Sequence, residues 1–481
     1  MCEASRNYTD GGSLPGADVD PADREKNIFG TTGKATDFFI PESYRRFQRE
    51  TIEEIESAYE QGFRHVVVDA PTGSGKSHIA RALAFQAGDT HILTIQKLLQ
   101  DQYQSDFPDM YVMKGRNAYE CLLGENGTTC AEGPCRLKKR VACDGCPYKL
   151  AKARAMSAPV TVHNFDSFYY QNSFGHGFSG RKLIIIDECH NIANKFSEFL
   201  SFTINSRGGI DVPEAESIGQ YDRFVKDAYA QYADELSRLE SQFDVDGLSR
   251  ENLYRMQELS KIVHRMKRYI MEREKDNPAE YVFDYSTFGR YAPSVTFRPV
   301  YVGDYASRWL FEYGERSLMM SATILDKEMF CKEVGLNPSE VYYISVPSTF
   351  PAENRPIVKK YAGKMGYRDI DYTLPTLVEY IEEILEKYPG RKGIIQTHSE
   401  KIANYLKENM DDPRLTFNKD FDSPQEMLSV HASKEGSIIV ASGLREGLDL
   451  RGDLSKLQIF CKVPYPSLGD KVVARKLELD P

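Results

Sequence analysis

The sequence predicts an α/β protein with parallel sheets in two domains and two insertions, on three observations. Short β-branched runs, HVVVDA, HILTIQ, APVTVHN, KLIIIDE and SLMMSAT, alternate with helical stretches from Arg64 onward. Apolar on both faces, they suit buried parallel strands, which need helical crossovers between them. A second series, GIIQT, SIIVAS and LQIFCKV, follows after about Leu325, and a chain of 481 residues exceeds what one hydrophobic core usually serves.

Composition narrows the function classes. An apolar content of 41% with 27% charged residues is ordinary for a soluble globular chain. The start, MCEASRNYTDGG, lacks the basic residues and apolar run of a signal peptide, and no later stretch stays apolar long enough to cross a bilayer. A cytoplasmic location with no membrane partner is expected. The net charge of -10 argues against a globally basic nucleic-acid coat and leaves room for a local basic groove. One basic patch exists: Arg136, Lys138, Lys139 and Arg140, followed by Lys149, Lys152 and Arg154. Its default reading is a solvated charged face.

Residues 1–35, rich in Gly, Ser, Asp and Thr without periodicity, read as a disordered leader. Residues 36–115 open the first α/β domain. Residues 116–149 are an insertion with five of the nine cysteines: Cys121, Cys130, Cys135, Cys143 and Cys146. Disulfides, a metal or iron–sulfur site and chance clustering compete there; reduced cytosolic thiols and the odd total disfavour the first. Residues 150–193 resume the domain. In the second insertion, 194–285, Tyr221, Phe224, Val225, Ala228, Tyr232, Leu236 and Leu239 recur at steps of three and four. So do Met256, Leu259, Ile262, Val263, Met266 and Ile270, which predicts helices with one buried face. Residues 286–325 complete the first domain and 326–481 form the second.

The clearest chemistry is APTGSGKS, Ala70 to Ser77, placed between a strand and a helix start as a P-loop requires. Thr72, Gly73, Ser74 and Gly75 would wrap backbone amides around phosphates, Lys76 would reach the β and γ phosphates, and Ser77 would bind Mg2+ through its hydroxyl. Ala70 stands where the strict pattern has Gly. The partner motif is LIIIDECHN, Leu183 to Asn191, whose apolar run delivers Asp187 and Glu188 to a strand's carboxyl end, where open α/β sheets bind ligands. Asp187 suits a magnesium contact, and Glu188 suits orienting and deprotonating the attacking water. Cys189 and His190 are poorly spaced for a metal; relaying the nucleotide state is the better role for His190.

A P-loop, then DECH, then a second α/β series resembles the superfamily 2 helicases, and the order of parts resembles the XPD and DinG family of iron–sulfur DNA helicases from about Tyr44 onward. KGRNAYEC, Lys114 to Cys121, and CPY at Cys146 resemble the family's first and last cluster cysteines. TVHN, Thr161 to Asn164, falls where the family ends a strand in a similar motif. SAT, Ser321 to Thr323, resembles motif III, and SGLREGLDLRGD, Ser442 to Asp453, resembles motif V, with Glu446, Gly447 and Asp449 in place. YRRFQ puts Arg46 and Gln48 where the family has an adenine-sensing glutamine, and LLQDQ, Leu98 to Gln102, lies where motif Ia helps grip DNA.

The resemblance implies two RecA-like parallel-sheet motor domains with an iron–sulfur insertion and a helical arch insertion in the first. It implies a [4Fe-4S] cluster on Cys121, Cys130, Cys135 and Cys146, with Cys143 as the rival ligand and zinc on the same thiolates as the rival metal. It further implies ATP with Mg2+ as cofactor, single-stranded or forked DNA as partner, 5'-3' translocation, and action as a monomer. Trp309, Tyr301 and Tyr305 are candidates to stack on bases, with burial as the plainer reading. The chain ends KVPYPSLGDKVVARKLELDP, without the QxxGRxxR pattern of motif VI, and Arg475 is no obvious substitute. The sequence therefore reads as truncated before motif VI, which leaves two function classes: a DNA helicase or translocase, and a nucleotide-sensing, cluster-bearing nucleic-acid binder with little ATP turnover.

Overall fold

The structure, a computed structural model, describes residues 26–124, 127–133, 135, 143–173, 177–206, 209–245, 250–287, 292–354, 356–443, 450, 452–465 and 469–480. They fall into two compact units, one reaching up to Leu200 and including Gln231–Val263 and Tyr301–Thr349, the other made of Ser201–Ala230, His264–Val300 and Phe350–Pro481.

Packed structure reaches into the segment expected to be a leader. The Asn27 carboxamide donates to the Gly33 carbonyl at 2.8 Å and accepts from the Phe29 amide at 3.0 Å. Phe29 is buried edge-on against Tyr59. Residues 26–35 are therefore part of the fold; buried Phe29 and Ala35 and the Ala35 amide's bond to Glu56 at 2.9 Å fix them, isolated contacts with no periodicity to announce them.

The first unit runs α1 (Gln48–Glu60), β1 (His65–Asp69), α2 (Lys76–Ala87), β2 (Thr90–Thr94), α3 (Lys97–Asp106), β3 (Tyr111–Met113), α4 (Pro147–Ser157), β4 (Val160–Asn164), α5 (Phe165–Asn172), β5 (Arg181–Asp187) and α6 (Ile192–Leu200). After an excursion comprising β6 (Phe202–Asn205), α7 (Ile218–Val245), α8 (Arg250–Arg273), β7 (Tyr281–Ser286) and β8 (Ser294–Pro299), it resumes with α9 (Gly303–Trp309), β9 (Gly314–Ser321), α10 (Lys327–Val334) and β10 (Val341–Ser345). Seven of these strands form one parallel sheet in the order β10-β1-β9-β5-β2-β4-β3. The triple valine of β1 and the Ile184, Ile185, Ile186 run of β5 are fully buried, as strands covered on both faces require.

The boundary expected at 325 falls later, because β10 pairs with β1 through the register His65↔Val341. Its sequence, VYYIS, carries two tyrosines that mask a strand of the sheet. Trp309 packs against Phe196 and Tyr305 in this unit's core, and Tyr305 is buried.

In the second unit β6, β8 and β7 form a small antiparallel sheet. The helical stripes were legible and Tyr221, Val225, Met266 and Tyr269 are buried, but these strands were not. They are short and half-exposed, so their alternation is too brief to stand out. Asp222 accepts from the Tyr269 hydroxyl at 2.6 Å and pairs with Arg273 at 3.1 Å. The rest of the unit contains α11 (Ile370–Lys387), β11 (Gly393–Gln396), α12 (Glu400–Asn409), β12 (Leu415–Phe417), α13 (Pro424–Ser433), β13 (Ile438–Ala441), β14 (Leu457–Phe460) and α14 (Lys471–Leu479). Its four parallel strands order as β12-β13-β11-β14. α14 is tied to the antiparallel sheet by Arg298–Asp470 at 2.6 Å and by Arg475, which pairs with Glu280 at 2.5 Å.

Candidate nucleotide site and cysteine insertion

Parallel pairing brings the ends of five strands into one row. Asp69 stands opposite Ser321, Asp187 opposite Met320 and Thr94, and Thr94 opposite Asn164. The two motifs read from the sequence, far apart along the chain, are thereby brought to one edge of one sheet, at the strand ends where such folds take ligands.

The P-loop turns on Gly73 (φ +85) and Gly75 (φ +87), the latter starting α2. Lys76 is buried and its Nζ donates to the Ala70 carbonyl at 3.1 Å. The Ser74 hydroxyl is buried with no hydrogen-bond partner, an unsatisfied group that a phosphate oxygen would satisfy. Thr72 and Gly73 are exposed. The Gln48 carboxamide donates to the Gly75 carbonyl at 3.1 Å and accepts from the Arg45 amide at 3.0 Å. The sequence reading missed Arg45, whose guanidinium donates to the Gly73 carbonyl, and paired Gln48 instead with Arg46, which lies over its neighbour Phe47. The Phe39–Tyr44 stack, with centroids 4.2 Å apart, immediately precedes Arg45 in the chain and was also missed.

Asp187 is buried, and burial raises its carboxyl above the usual range against the pull of Lys76, the Tyr103 hydroxyl and the Glu188 amide. The Tyr103 hydroxyl donates to Asp187 Oδ2 at 3.1 Å and the Glu188 amide to Oδ1 at 3.1 Å. Glu188 sits in the left-handed region (φ +56), a strained backbone of the kind found at working sites. Its Oε2 is 3.5 Å from His190 Nδ1, which in turn lies 2.7 Å from the Ser321 hydroxyl. Asn191 Nδ2 is 2.9 Å from His190 Nε2. Cys189 is fully buried and burial pushes its thiol well up, which makes it a packed residue and not a metal partner for His190. Asn164 accepts from the Ser167 amide to cap α5, and its Nδ2 reaches the Ile95 carbonyl.

In the cysteine insertion Cys121, Cys130, Cys143 and Cys146 are buried and Cys135 is half-buried. The Cys130 and Cys146 sulfurs are 3.9 Å apart. Gly133 lies so close that a Cβ there would come within 2.8 Å of Cys121 Sγ. Burial, then Cys146, pushes the Cys130 thiol up to about 11. Burial pushes Cys146 up as well, but the Lys149 amide at the start of α4 and the Cys130 thiol outweigh it and hold Cys146 below its ordinary value. Among the described residues no group of three or more His, Cys, Asp or Glu is gathered to hold a metal ion. The basic residues 136–140 lie outside the described residues; Lys149 and Arg154 are exposed, and Lys152 is half-buried 5.2 Å from the Phe178 ring.

In the second unit Ser442 and Asn418 exchange hydrogen bonds through backbone and carboxamide, at 3.3 and 3.4 Å. Glu446, Gly447 and Asp449 lie outside the described residues. Arg475 is held by Glu280 and Glu478. No described helix is long and apolar enough to cross a membrane.

Residues 42–220 match the family described as type III restriction enzyme, res subunit, and residues 390–480 match the helicase C-terminal domain. The chain is 22% identical to the ATP-dependent DNA helicase YoaA of Haemophilus influenzae, over 94% of this chain and 87% of that protein. Against the Escherichia coli YoaA it is 23% identical, over 93% and 86%. Among solved structures, an XPD helicase covers 91% of this chain and 88% of its own at 14% identity, with a TM-score of 0.57. The S. tokodaii Xpd4 structure covers 90% and 86% at 13% identity, with a TM-score of 0.55. The chain is thus similar in sequence to ATP-dependent DNA helicases over most of its length, carries segments that match two helicase-associated family models, and shares its fold with XPD helicase structures.

Proposed function

We propose that the chain is an ATP-driven DNA helicase or translocase, a cytoplasmic monomer moving 5'-3' on single-stranded or forked DNA. The observation that carries this reading is the row of Lys76, Asp187, Glu188, His190 and Ser321 along one sheet edge. Lys76 draws the γ phosphate, the P-loop amides from Thr72 to Ser77 cradle the chain of phosphates, and Gln48 with Arg45 holds the loop that faces the base. Ser77 and Asp187 would hold Mg2+, which supplies charge neutralisation on the phosphates when bound. Glu188 orients water and takes its proton, and His190 passes the state of that carboxylate to Ser321. Glu446 and Asp449 are the matching positions on the second motor domain.

The thiol set of the first insertion fits a metal cluster by its donor chemistry: several buried sulfurs, two of them 3.9 Å apart, with Cys146 at a helix start. Cys121, Cys130 and Cys146 would be three ligands of a [4Fe-4S] cluster. For the fourth, burial favours Cys143 over Cys135, the residue the family spacing suggests.

The test is ATP turnover by the anaerobically purified chain with and without single-stranded DNA, beside Lys76→Ala, followed by unwinding of duplexes with a 5' or a 3' tail. Turnover stimulated by DNA, lost in Lys76→Ala and coupled only to the 5' tail supports the motor. DNA binding with no turnover would instead support the nucleotide-sensing binder.

A further inference from the structure

Tyr103 belongs to no motif, yet its side chain is fully buried in the middle of the nucleotide site. It sits on α3, the helix that contains the LLQDQ segment. α3 turns Gln100 and Tyr103 inward, while Lys97, Asp101 and Gln104 are exposed. The inner face meets the nucleotide site at two points. The Tyr103 hydroxyl donates to Asp187 Oδ2 at 3.1 Å, beside Ser77 of the P-loop. One turn on, Phe107 meets the His78 ring edge-on, with centroids 5.1 Å apart. The phenol thus stands between the hydroxyl of the P-loop and the carboxylate of the DECH box.

We propose that Tyr103 is a positioning residue that links the outward face of α3 to Asp187, so that engagement of single-stranded DNA along α3 is registered at the carboxylate that would hold Mg2+. This rests on the reading of LLQDQ as a DNA-gripping segment. A rigid phenol suits such a link. Burial locks the ring, and its one polar atom is committed to Asp187, so a shift of the helix acts on that carboxylate through the hydrogen bond. A tyrosine placed only to fill the core would have no need of a polar atom at that spot.

The experiment is Tyr103→Phe in the full chain, comparing the ratio of DNA-stimulated to DNA-free ATP turnover, with DNA affinity measured separately. Loss of the link should bring DNA-stimulated turnover down toward the variant's own DNA-free rate, so the ratio should fall toward one while DNA affinity stays within about twofold. A ratio equal to that of the unsubstituted protein would overturn the link. Should the unsubstituted protein show no stimulation at all, the helicase reading itself fails and the link falls with it, a result distinct from the previous one. If Tyr103→Phe does not fold, 3-fluorotyrosine at position 103 replaces it: its fluorine resonance should shift on adding single-stranded DNA without nucleotide, and an unmoved resonance at saturating DNA overturns the link.

Discussion

His190 Nδ1 and the Ser321 hydroxyl are 2.7 Å apart, although 131 residues of chain separate them. The contact joins the DECH box to the SAT segment across adjacent strands β5 and β9. His190→Ala and Ser321→Ala should each leave ATP turnover largely intact and slow strand separation about fivefold. The double variant should be no worse than either single one, an interaction energy of about 1 kcal/mol in a double-mutant cycle. Additive losses would mean that the two side chains act independently.

Gly75→Ala meets two obstacles. The backbone is left-handed at φ +87, and a Cβ would come within 2.3 Å of Gln48 Nε2. The strain costs roughly 1–3 kcal/mol, and the Gln48 carboxamide has to leave the loop. Nucleotide affinity and thermal stability should both fall. Adding Gln48→Ala should produce little further loss, because the first substitution has already displaced that side chain; fluorescence titration with a labelled ATP decides it.

Three buried histidines make the fold acid-sensitive. Burial, then Arg64, lowers His65 to about 4; burial, then Arg181, lowers His91 to about 3; and burial, then His91 and Arg181, lowers His163 well below its ordinary 6.5. His91 Nδ1 and His163 Nε2 are 3.1 Å apart, and His91 Nε2 lies 2.9 Å from the Ser179 carbonyl, so both rings are paired while neutral. The unfolded chain takes up these protons near 6.5 and the folded chain does not, so their stabilisation is complete above about 6.5 and drains as pH falls toward about 3. At about pH 5.5, one unit below the unfolded value, each contributes a loss on the order of 1 kcal/mol. Urea midpoints should drop between about pH 7.5 and about pH 5.5, with a shallower slope in His163→Phe; a midpoint independent of pH over that window would contradict the assignment.

Cys135→Ser and Cys143→Ser separate the two cluster assignments. With Cys143 buried beside the other thiols and Cys135 half-buried, Cys143→Ser should lose bound iron and visible absorbance while Cys135→Ser keeps them. The reverse pattern would restore the ligand set implied by family spacing. Zinc in place of iron in the isolated protein would show in elemental analysis.

The motor frame was legible because its strands are buried on both faces and its glycine loop has few alternatives. HVVVD, KLIIID and SLMMS lie side by side as β1, β5 and β9 with β9 in the middle, an order no linear reading gives. What stayed hidden has a common cause: single residues without periodicity. Phe29 helps anchor the supposed leader, Arg45 holds Gly73, and Tyr103 reaches Asp187, each through one contact distant in sequence. The strands β6, β7 and β8 were obscured by the stronger helical periodicity around them.

The interior placement of β1 also bears on how the chain is made. Both of its sheet partners, β9 and β10, lie roughly 250 residues or more downstream, as the His65–Ser317 contact across 252 residues shows. At ribosomal speeds that interval takes roughly 10 to 50 s. Throughout it the HVVVD strand and the glycine loop behind it have been synthesised but have no neighbours to pair with. The nascent protein thus exposes for that interval a strand that is buried on both faces once folded, and its yield in the cell should depend on chaperones that hold that segment until residue 345 has emerged.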